Sequence, residues 1–144
     1  EDFMKGRRCY NFHLGLLPKY GGVGVCAWAI INGEKETGIT LHRIDAGIDT
    51  GDVISVDTVA IEENETGGSL YDKCFNTAEL MFEKWLERLL NKRYKEQKQK
   101  EKRHLYTRKM LEEVKDITRF YRAFDFEGKE QAYYIKDNKK IYLT

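Results

Sequence analysis

Four side chains in this sequence have the types and positions of a reactive site: Asn11, His13, Asp49 and Asp52. Together they combine an amide donor, an imidazole that titrates near neutrality and two carboxylates, which suits proton transfer and charge stabilisation. Asn11 and His13 are two residues apart on a predicted strand, so both side chains point to the same side of it. Each residue also has a structural interpretation, because Asn and Asp are common in turns and a buried histidine can simply be hydrogen-bonded.

The pair Asn11 and His13 is expected at the end of its strand. The aromatic-rich stretch 8–13 predicts a buried strand, and Pro18 with the paired glycines after it predicts a loop. Strand ends are where α/β sheets bind ligands, so both side chains are candidates for a site.

The elements that follow have an α/β pattern. The apolar run 23–31 predicts a short buried helix. Residues 37–44 and 52–61 have the β-branched composition of strands, and we expect them to pair antiparallel across the glycine-rich turn 46–51. This turn carries Asp49.

A long amphipathic helix is predicted to start near residues 66–69. Ser69 and Asp72 have the spacing of a capping box at this point. One face of the helix is apolar and is expected to pack on the sheet. That face carries Leu70, Cys74, Ala78, Met81, Trp85 and Leu89.

The chain divides by composition into three parts. Residues 1–91 contain the candidate site and the predicted sheet. Residues 92–104 are rich in Lys, Arg, Gln and Glu, which predicts a charged helix extension or a linker. Residues 105–144 predict a small unit with a short helix, an aromatic cluster and a terminal hairpin. The hairpin strands are Tyr133–Ile135 and Ile141–Leu143, and its turn contains Asp137 and Asn138.

Composition restricts the class of protein. The 144 residues are 41% apolar, as in one globular domain, and no apolar run is long enough to span a membrane. Lys and Arg number 25 against 24 Asp and Glu, so the net charge disfavours nucleic acid as a partner. The three cysteines have neither metal-binding nor disulfide spacing. We expect a cytoplasmic protein with a small-molecule substrate and no metal.

Two blocks of spaced residues resemble the folate-dependent formyltransferase family. The first runs from Asn11 to Gly22 with the pattern N-F-H-L-G-L-L-P-K-Y-x-G, and the second from Asp45 to Asp52 with the pattern D-x-G-I-D-T-G-D. The family contains methionyl-tRNA formyltransferase, glycinamide ribonucleotide transformylase and the sugar N-formyltransferases. The resemblance implies the C-terminal part of a Rossmann-like formyltransferase domain with a mixed sheet.

The resemblance also implies roles for individual residues. Asn11, His13 and Asp49 match the catalytic Asn, His and Asp of the family. The formyl donor is then 10-formyltetrahydrofolate, and loop 45–52 would flank its pterin. The residues implied in folate binding are Asp45, Gly47, Ile48, Thr50, Gly51 and Asp52. Those implied on the acceptor side are Leu16, Pro18, Lys19, Tyr20 and Gly22.

The implied reaction suits these side chains on physical grounds as well. An amine that attacks a formamide carbon creates an oxyanion, to which the amide NH₂ of Asn11 can donate. A proton has to leave the attacking nitrogen and another has to reach N10 of the folate, which suits His13. Asp49 can orient His13, favour its charged form and hold a water. The reaction needs neither a metal nor a covalent nucleophile.

The acceptor amine is less constrained by the resemblance. Gly15, Gly21, Val25 and Ala27 stand where the family usually has Ser, Arg, Pro and Gln. The C-terminal segment resembles the ends of sugar N-formyltransferases, which favours a nucleotide-linked amino sugar. Two alternatives stay open: a methionyl-tRNA formyltransferase, which would carry a further β-barrel domain, and a non-catalytic remnant.

The family also has an N-terminal Rossmann-like half before the Asn-x-His strand. We expect that this sequence is a fragment, that the half has been lost, or that another chain supplies it. Without that half, the strand at 8–13 has an unpaired edge. Such an edge favours a homo-oligomer, for instance a dimer, or association with the missing half.

Overall fold

A computed structural model describes residues 5–129 and 133–142. In chain order the elements are β1 (Tyr10–His13), β2 (Gly21–Gly22), α1 (Val25–Ile31), β3 (Glu36–Arg43), β4 (Val53–Ala60), α2 (Gly67–Leu90), β5 (Leu105–Tyr106), α3 (Ile117–Ala123), β6 (Tyr133–Lys136) and β7 (Lys139–Tyr142). A 3-10 helix at Arg108–Glu113 lies between β5 and α3. The mixture of helices and strands confirms the predicted α/β class.

The main sheet contains three antiparallel strands in the order β1-β3-β4. Strand β1 pairs with β3 so that Asn11 lies opposite His42 and His13 opposite Thr40. The pairing of β3 with β4 confirms the hairpin predicted around Asp49. Strand β1 has no partner on its other side among the residues that the structure describes, so it is an edge strand of this sheet. Parallel pairing occurs separately, between β2 and β5.

Helix α1 forms the centre of the hydrophobic core, and all seven of its residues are buried. It begins at Val25, whereas the sequence predicted a start at Val23. Gly24 has a φ of 67°, and a left-handed residue cannot continue a right-handed helix. Val23 is accordingly 52% exposed. The predicted end is confirmed, because the helix stops at Asn32 and Gly33 follows with a φ of 70°.

Helix α2 packs on the sheet through its predicted apolar face. Leu70, Cys74, Met81 and Leu89 are buried, while Ala78 and Trp85 pack partly buried against the core. The predicted capping box was wrong by three residues. Thr66 is the cap and accepts from the backbone N–H of Ser69 at 3.1 Å, and Ser69 Oγ accepts from Thr66 N–H at 3.1 Å. Ser69 therefore closes the box instead of opening it.

After α2 ends at Leu90, the chain returns across the sheet in an irregular segment, residues 94–106, which we call the strap. The Tyr94 hydroxyl is 2.7 Å from that of Tyr10 on β1. Further along, Gln97 and Val53 exchange two backbone hydrogen bonds of 2.8 Å. The strap therefore joins the end of α2 to both outer strands of the main sheet. The division of the chain at residues 91 and 104 stays a prediction.

The C-terminal part adds α3, which packs on α1 and on the start of α2. In the hairpin of β6 and β7, Asp137 and Asn138 have φ values of 49° and 59°, as in the tight turns that favour these residue types. The predicted strand residue Leu143 lies outside the described residues. No helix within the described ranges is long and apolar enough to cross a membrane.

The close approach of α3 to α2 generates a stability prediction at Gly67. A Cβ at this position would lie 2.7 Å from the carbonyl carbon of Ala123 and 2.9 Å from the Phe126 ring. Replacing a helical glycine normally stabilises by up to about 1 kcal/mol. Overpacking against backbone costs about 1–3 kcal/mol, so we expect Gly67→Ala to lower the free energy of unfolding by about 1–2 kcal/mol.

Urea unfolding measures this change. Asn76→Ala, at an exposed position of the same helix, serves as the control and should be neutral or slightly stabilising. A Gly67→Ala variant at least as stable as the wild type would contradict the predicted contact.

Candidate active site

Asn11, His13 and Asp49 lie together at the end of strand β1. His13 Nδ1 is 3.6 Å from Asp49 Oδ1, and the two side chains are only 7% and 12% exposed. Asn11 reaches the same carboxylate through His42, whose Nε2 is 3.3 Å from Asn11 Nδ2 and 3.7 Å from Asp49 Oδ1. The structure thus brings the predicted trio into one cluster and adds His42 to it.

His42 was missed in the sequence because it appears there only as one residue of a predicted strand. The signal that could have found it is the pairing register, since Asn11 lies directly opposite His42. Residues opposite each other in an antiparallel pair extend their side chains to the same face of the sheet. With His13 also on that face, two imidazoles stand side by side, with ring centroids 6.3 Å apart.

The Asp49 carboxylate is held from three directions. Its Oδ2 accepts a 2.8 Å hydrogen bond from the backbone N–H of Gly22, and its Oδ1 faces the two histidines. The backbone of Asp49 has a φ of 53°, a conformation that residues other than glycine rarely adopt. This conformation aims the carboxylate into the cluster.

The tautomer of His42 follows from its partners. Its Nδ1 is 2.7 Å from the carbonyl of Arg43, to which the Nδ1–H donates. Nε2 of the neutral ring is then an acceptor, and the amide of Asn11 donates to it. Burial lowers the pKa of His42 from its ordinary 6.5, outweighing the opposite effects of the Arg43 carbonyl and the Asp49 charge. His42 is therefore neutral at pH 7.

His13 has a different arrangement. Its Nε2 donates to the backbone carbonyl of Tyr20 at 2.6 Å, so Nδ1 is the nitrogen that faces Asp49. A neutral ring in this orientation has a lone pair on Nδ1 that can accept a proton. The proton would then lie between the imidazole and the carboxylate. Chemically, the cluster can donate a hydrogen bond from Asn11 and exchange a proton at His13.

The residues predicted to bind folate lie on one loop around Asp49. Asp45 accepts hydrogen bonds from Gly47 N–H at 3.0 Å and from the Thr50 hydroxyl, which lowers the pKa of the Asp45 carboxyl. A Cβ at Gly51 would lie 2.7 Å from the carbonyl carbon of Arg43, so only glycine allows this approach. The carbonyl of Asp52 accepts from Arg43 N–H, while Ile48 is 62% exposed. Folate binding by this loop stays a prediction.

The residues predicted on the acceptor side lie on the loop between β1 and β2, on the other side of Asp49. The backbone carbonyl of Leu16 accepts a hydrogen bond from Tyr20 N–H, and the peptide bond before Pro18 is cis. Tyr20 is buried, and its hydroxyl donates to Glu34, as does the Lys19 ammonium, each at 2.8 Å. Of the five predicted residues, Lys19 and Tyr20 thus direct their side chains to Glu34 and away from the cluster.

Gly15, where the family usually has serine, is tightly enclosed by the same loop. A Cβ at this position would lie 2.7 Å from the Tyr20 carbonyl and 3.0 Å from His13 Nε2. A serine would therefore displace the carbonyl that orients His13. Within the described part of the chain, no three His, Cys, Asp or Glu side chains are arranged to hold a metal ion.

The charge environment of His42 generates a second prediction. Removing the Asp49 charge takes away an interaction that raises the pKa of His42, so Asp49→Asn should lower this pKa further. Asp45→Asn, whose carboxylate contributes less, should change it less. Histidine ¹⁵N chemical shifts followed through a pH titration measure both effects. A higher His42 pKa in Asp49→Asn would contradict the arrangement.

The same depressed pKa links His42 to stability. A neutral buried histidine contributes stability above its unfolded pKa of about 6.5, and this contribution is lost as the pH falls through the folded pKa.

Comparison with known proteins indicates the family of this chain. A family model described as formyl transferase matches residues 4–86. The methionyl-tRNA formyltransferase of Caldanaerobacter subterraneus subsp. tengcongensis is 40% identical over 109 residues, which cover 76% of this chain and 35% of the relative. The methionyl-tRNA formyltransferase of Clostridium tetani is 34% identical over 143 residues, which cover 93% of this chain and 46% of the relative. The chain thus spans less than half the length of these two relatives.

A solved structure is similar over nearly the same range. The N-formyltransferase from Helicobacter canadensis, in complex with folinic acid and dTDP-3-aminofucose, is 31% identical with a TM-score of 0.77. The match covers 92% of this chain and 52% of that one. It confirms the predicted fold as part of a Rossmann-like formyltransferase domain. This chain belongs to the formyl transferase family.

Proposed function

We propose that this chain carries the catalytic centre of a protein that transfers a formyl group from 10-formyltetrahydrofolate to a primary amine. The observation that carries the proposal is the partly buried cluster of Asn11, His13 and Asp49. In it a hydrogen-bond donor, the Asn11 amide, is linked through His42 to the Asp49 carboxylate, which lies 3.6 Å from the proton acceptor, His13 Nδ1.

In the proposed reaction the acceptor amine attacks the formyl carbon, and a C–N bond forms while the carbonyl oxygen gains the charge. Asn11 has two amide hydrogens, one of which is engaged by His42, and the other donates to this oxyanion. His13 Nδ1 takes the proton from the attacking nitrogen, and Asp49 stabilises the imidazolium. His13 then returns the proton to N10 as the bond between N10 and the formyl carbon breaks. Tetrahydrofolate and the formamide leave.

Loop 45–52 has features that suit a bound pterin. Ile48 presents an exposed apolar side chain next to Asp49, which can lie against a flat heteroaromatic ring. Gly47 and Gly51 allow the loop to pack closely on Thr50 and on the Arg43 carbonyl, which fixes the backbone on either side of Ile48. We therefore assign the donor to this side of the cluster and the acceptor to the loop 16–22.

The acceptor that we favour is a nucleotide-linked amino sugar. The similarity to the Helicobacter canadensis N-formyltransferase, a structure that contains dTDP-3-aminofucose, supports it. That similarity extends through most of the chain and therefore into the C-terminal part, where the sequence first indicated this acceptor.

Methionyl-tRNA is the second candidate acceptor. The curated relatives of this chain are methionyl-tRNA formyltransferases. Residues 92–109 also contain nine Lys and Arg against two Glu, a local positive charge that the balanced whole-chain charge conceals. Part of this segment passes directly over loop 45–52.

The proposal retains the expected organisation of the protein. Residues 1–91 form the catalytic core, residues 92–104 the connection and residues 105–144 a small C-terminal unit. We propose that the free edge of β1 is covered in the active protein, either by a Rossmann-like half or by a second copy of the chain.

An acceptor competition tests this proposal. The full-length protein is incubated with 10-formyltetrahydrofolate and either dTDP-linked amino sugars or methionyl-tRNA, and the formylated products are identified by mass spectrometry. We expect the formylated sugar, with a weak dependence on salt concentration. Formylation of tRNA alone, declining steeply as salt rises, would replace our acceptor with the second candidate. Transfer to neither class would contradict formyl transfer itself.

A further inference from the structure

The side chain of Gln99, on the strap, reaches the candidate active site. Gln99 Nε2 is 2.9 Å from the carbonyl oxygen of Asp49 and 2.9 Å from that of Gly51. Both hydrogens of a single NH₂ group are therefore donated to the loop that holds Asp49. Arg103, also on the strap, donates to the carbonyl of Ile48, the residue before Asp49.

Only the amide nitrogen of Gln99 suits this position. Both partners are carbonyl oxygens, which accept and never donate, so the side-chain oxygen could not replace the NH₂ group. Indeed Gln99 Oε1 is buried and has no hydrogen-bond partner among the residues that the structure describes. In this orientation Gln99 Oε1 accepts no hydrogen bond from the described residues, whereas the NH₂ group donates two.

The loop has a reason to need such a support. Asp49 has a φ of 53°, a conformation that is disfavoured for any residue with a Cβ and that persists only when its surroundings hold it. The carbonyls of Asp49 and Gly51 lie on either side of the turn that this conformation creates. Gln99 bridges them, while Gly22 N–H holds the carboxylate end of the same residue at 2.8 Å.

Gly22 is itself attached to the strap. Strand β2, which contains Gly22, pairs with β5 at the end of the strap, and Val23 N–H donates to the carbonyl of Tyr106 at 3.1 Å. One segment of chain thus fixes both the backbone and the carboxylate of Asp49, although it lies about fifty residues away in sequence.

We propose that Gln99 is a positioning residue that fixes the Asp49 carboxylate relative to His13 and His42. It touches neither substrate nor reacting atoms and acts through the loop. This inference rests on the proposed formyl transfer, in which Asp49 stabilises the protonated His13. A displacement of a catalytic group by about 1 Å can reduce the rate by about a hundredfold, so a modest loosening of the loop has a large effect.

The test compares three variants of the full-length protein in the formyl transfer assay. Gln99→Ala removes both hydrogen bonds, and we expect kcat to fall by about tenfold to a hundredfold with KM for both substrates changed by less than about twofold. Gln97→Ala is the matched control, because Gln97 is exposed and contacts Val53 only through its backbone. It should retain kcat within about twofold of the wild type.

Gln99→Glu provides a readout that a merely structural role would not change. Its ionised carboxylate faces two carbonyl oxygens, whereas its protonated form can donate one hydrogen bond. The loss of kcat relative to the wild type should therefore become smaller as the pH falls through the pKa of the introduced carboxyl. The relative loss in Gln99→Ala should stay constant over the same range.

The outcomes separate this inference from the proposed function. If the wild type transfers formyl and Gln99→Ala behaves as Gln97→Ala does, the positioning role is wrong and the proposed function is unaffected. If the wild type transfers no formyl group, the proposed function fails. Hydrogen exchange of the backbone amides at 46–52 then tests whether Gln99 holds the loop in place. Faster exchange in Gln99→Ala than in Gln97→Ala would support it, and equal exchange would overturn it.

Discussion

The Asp49 carboxylate is the group on which the rest of the site depends. A carboxylate that is only 12% exposed needs polar partners. Gly22 N–H donates to Asp49, and His13 and His42 place ring nitrogens 3.6 and 3.7 Å from its Oδ1, where a protonated ring would pair with the carboxylate. These partners come from β1, β2 and β3, so the carboxylate can be satisfied only if the three strands are in their observed places. The fold and the candidate site therefore both require this arrangement of the three strands.

The register of β1 against β3 is the second constraint. Because side chains alternate along a strand, a slip of one residue would move Asn11 and His13 to the opposite face and leave Asp49 without His13. The burial of α1 against this sheet opposes such a slip, and the strap ties both outer strands together. These long-range contacts thus hold the polar cluster around Asp49 in place.

Local patterns were sufficient to predict much of this arrangement. The main strands and the long helix follow from composition and alternation, whereas the grouping of Asn11, His13 and Asp49 was implied by the resemblance of two spaced motifs to the formyltransferase family. His42 and Gln99 did not follow, because their roles depend on pairing register and on a contact across about fifty residues of sequence. The start of α1 was shifted by a local cause, the left-handed conformation of Gly24. Glycine allows this conformation but does not require it, so the residue type alone did not predict it.

We propose that the charge of Asp49 drives formyl transfer through His13. Asp49→Asn preserves the shape of the side chain and an oxygen for Gly22 N–H but removes this charge, so its single-turnover rate of formyl transfer tests the claim most directly. We expect the rate to fall by at least about a hundredfold, with binding of the folate donor retained. A rate within about twofold of the wild type would contradict the account.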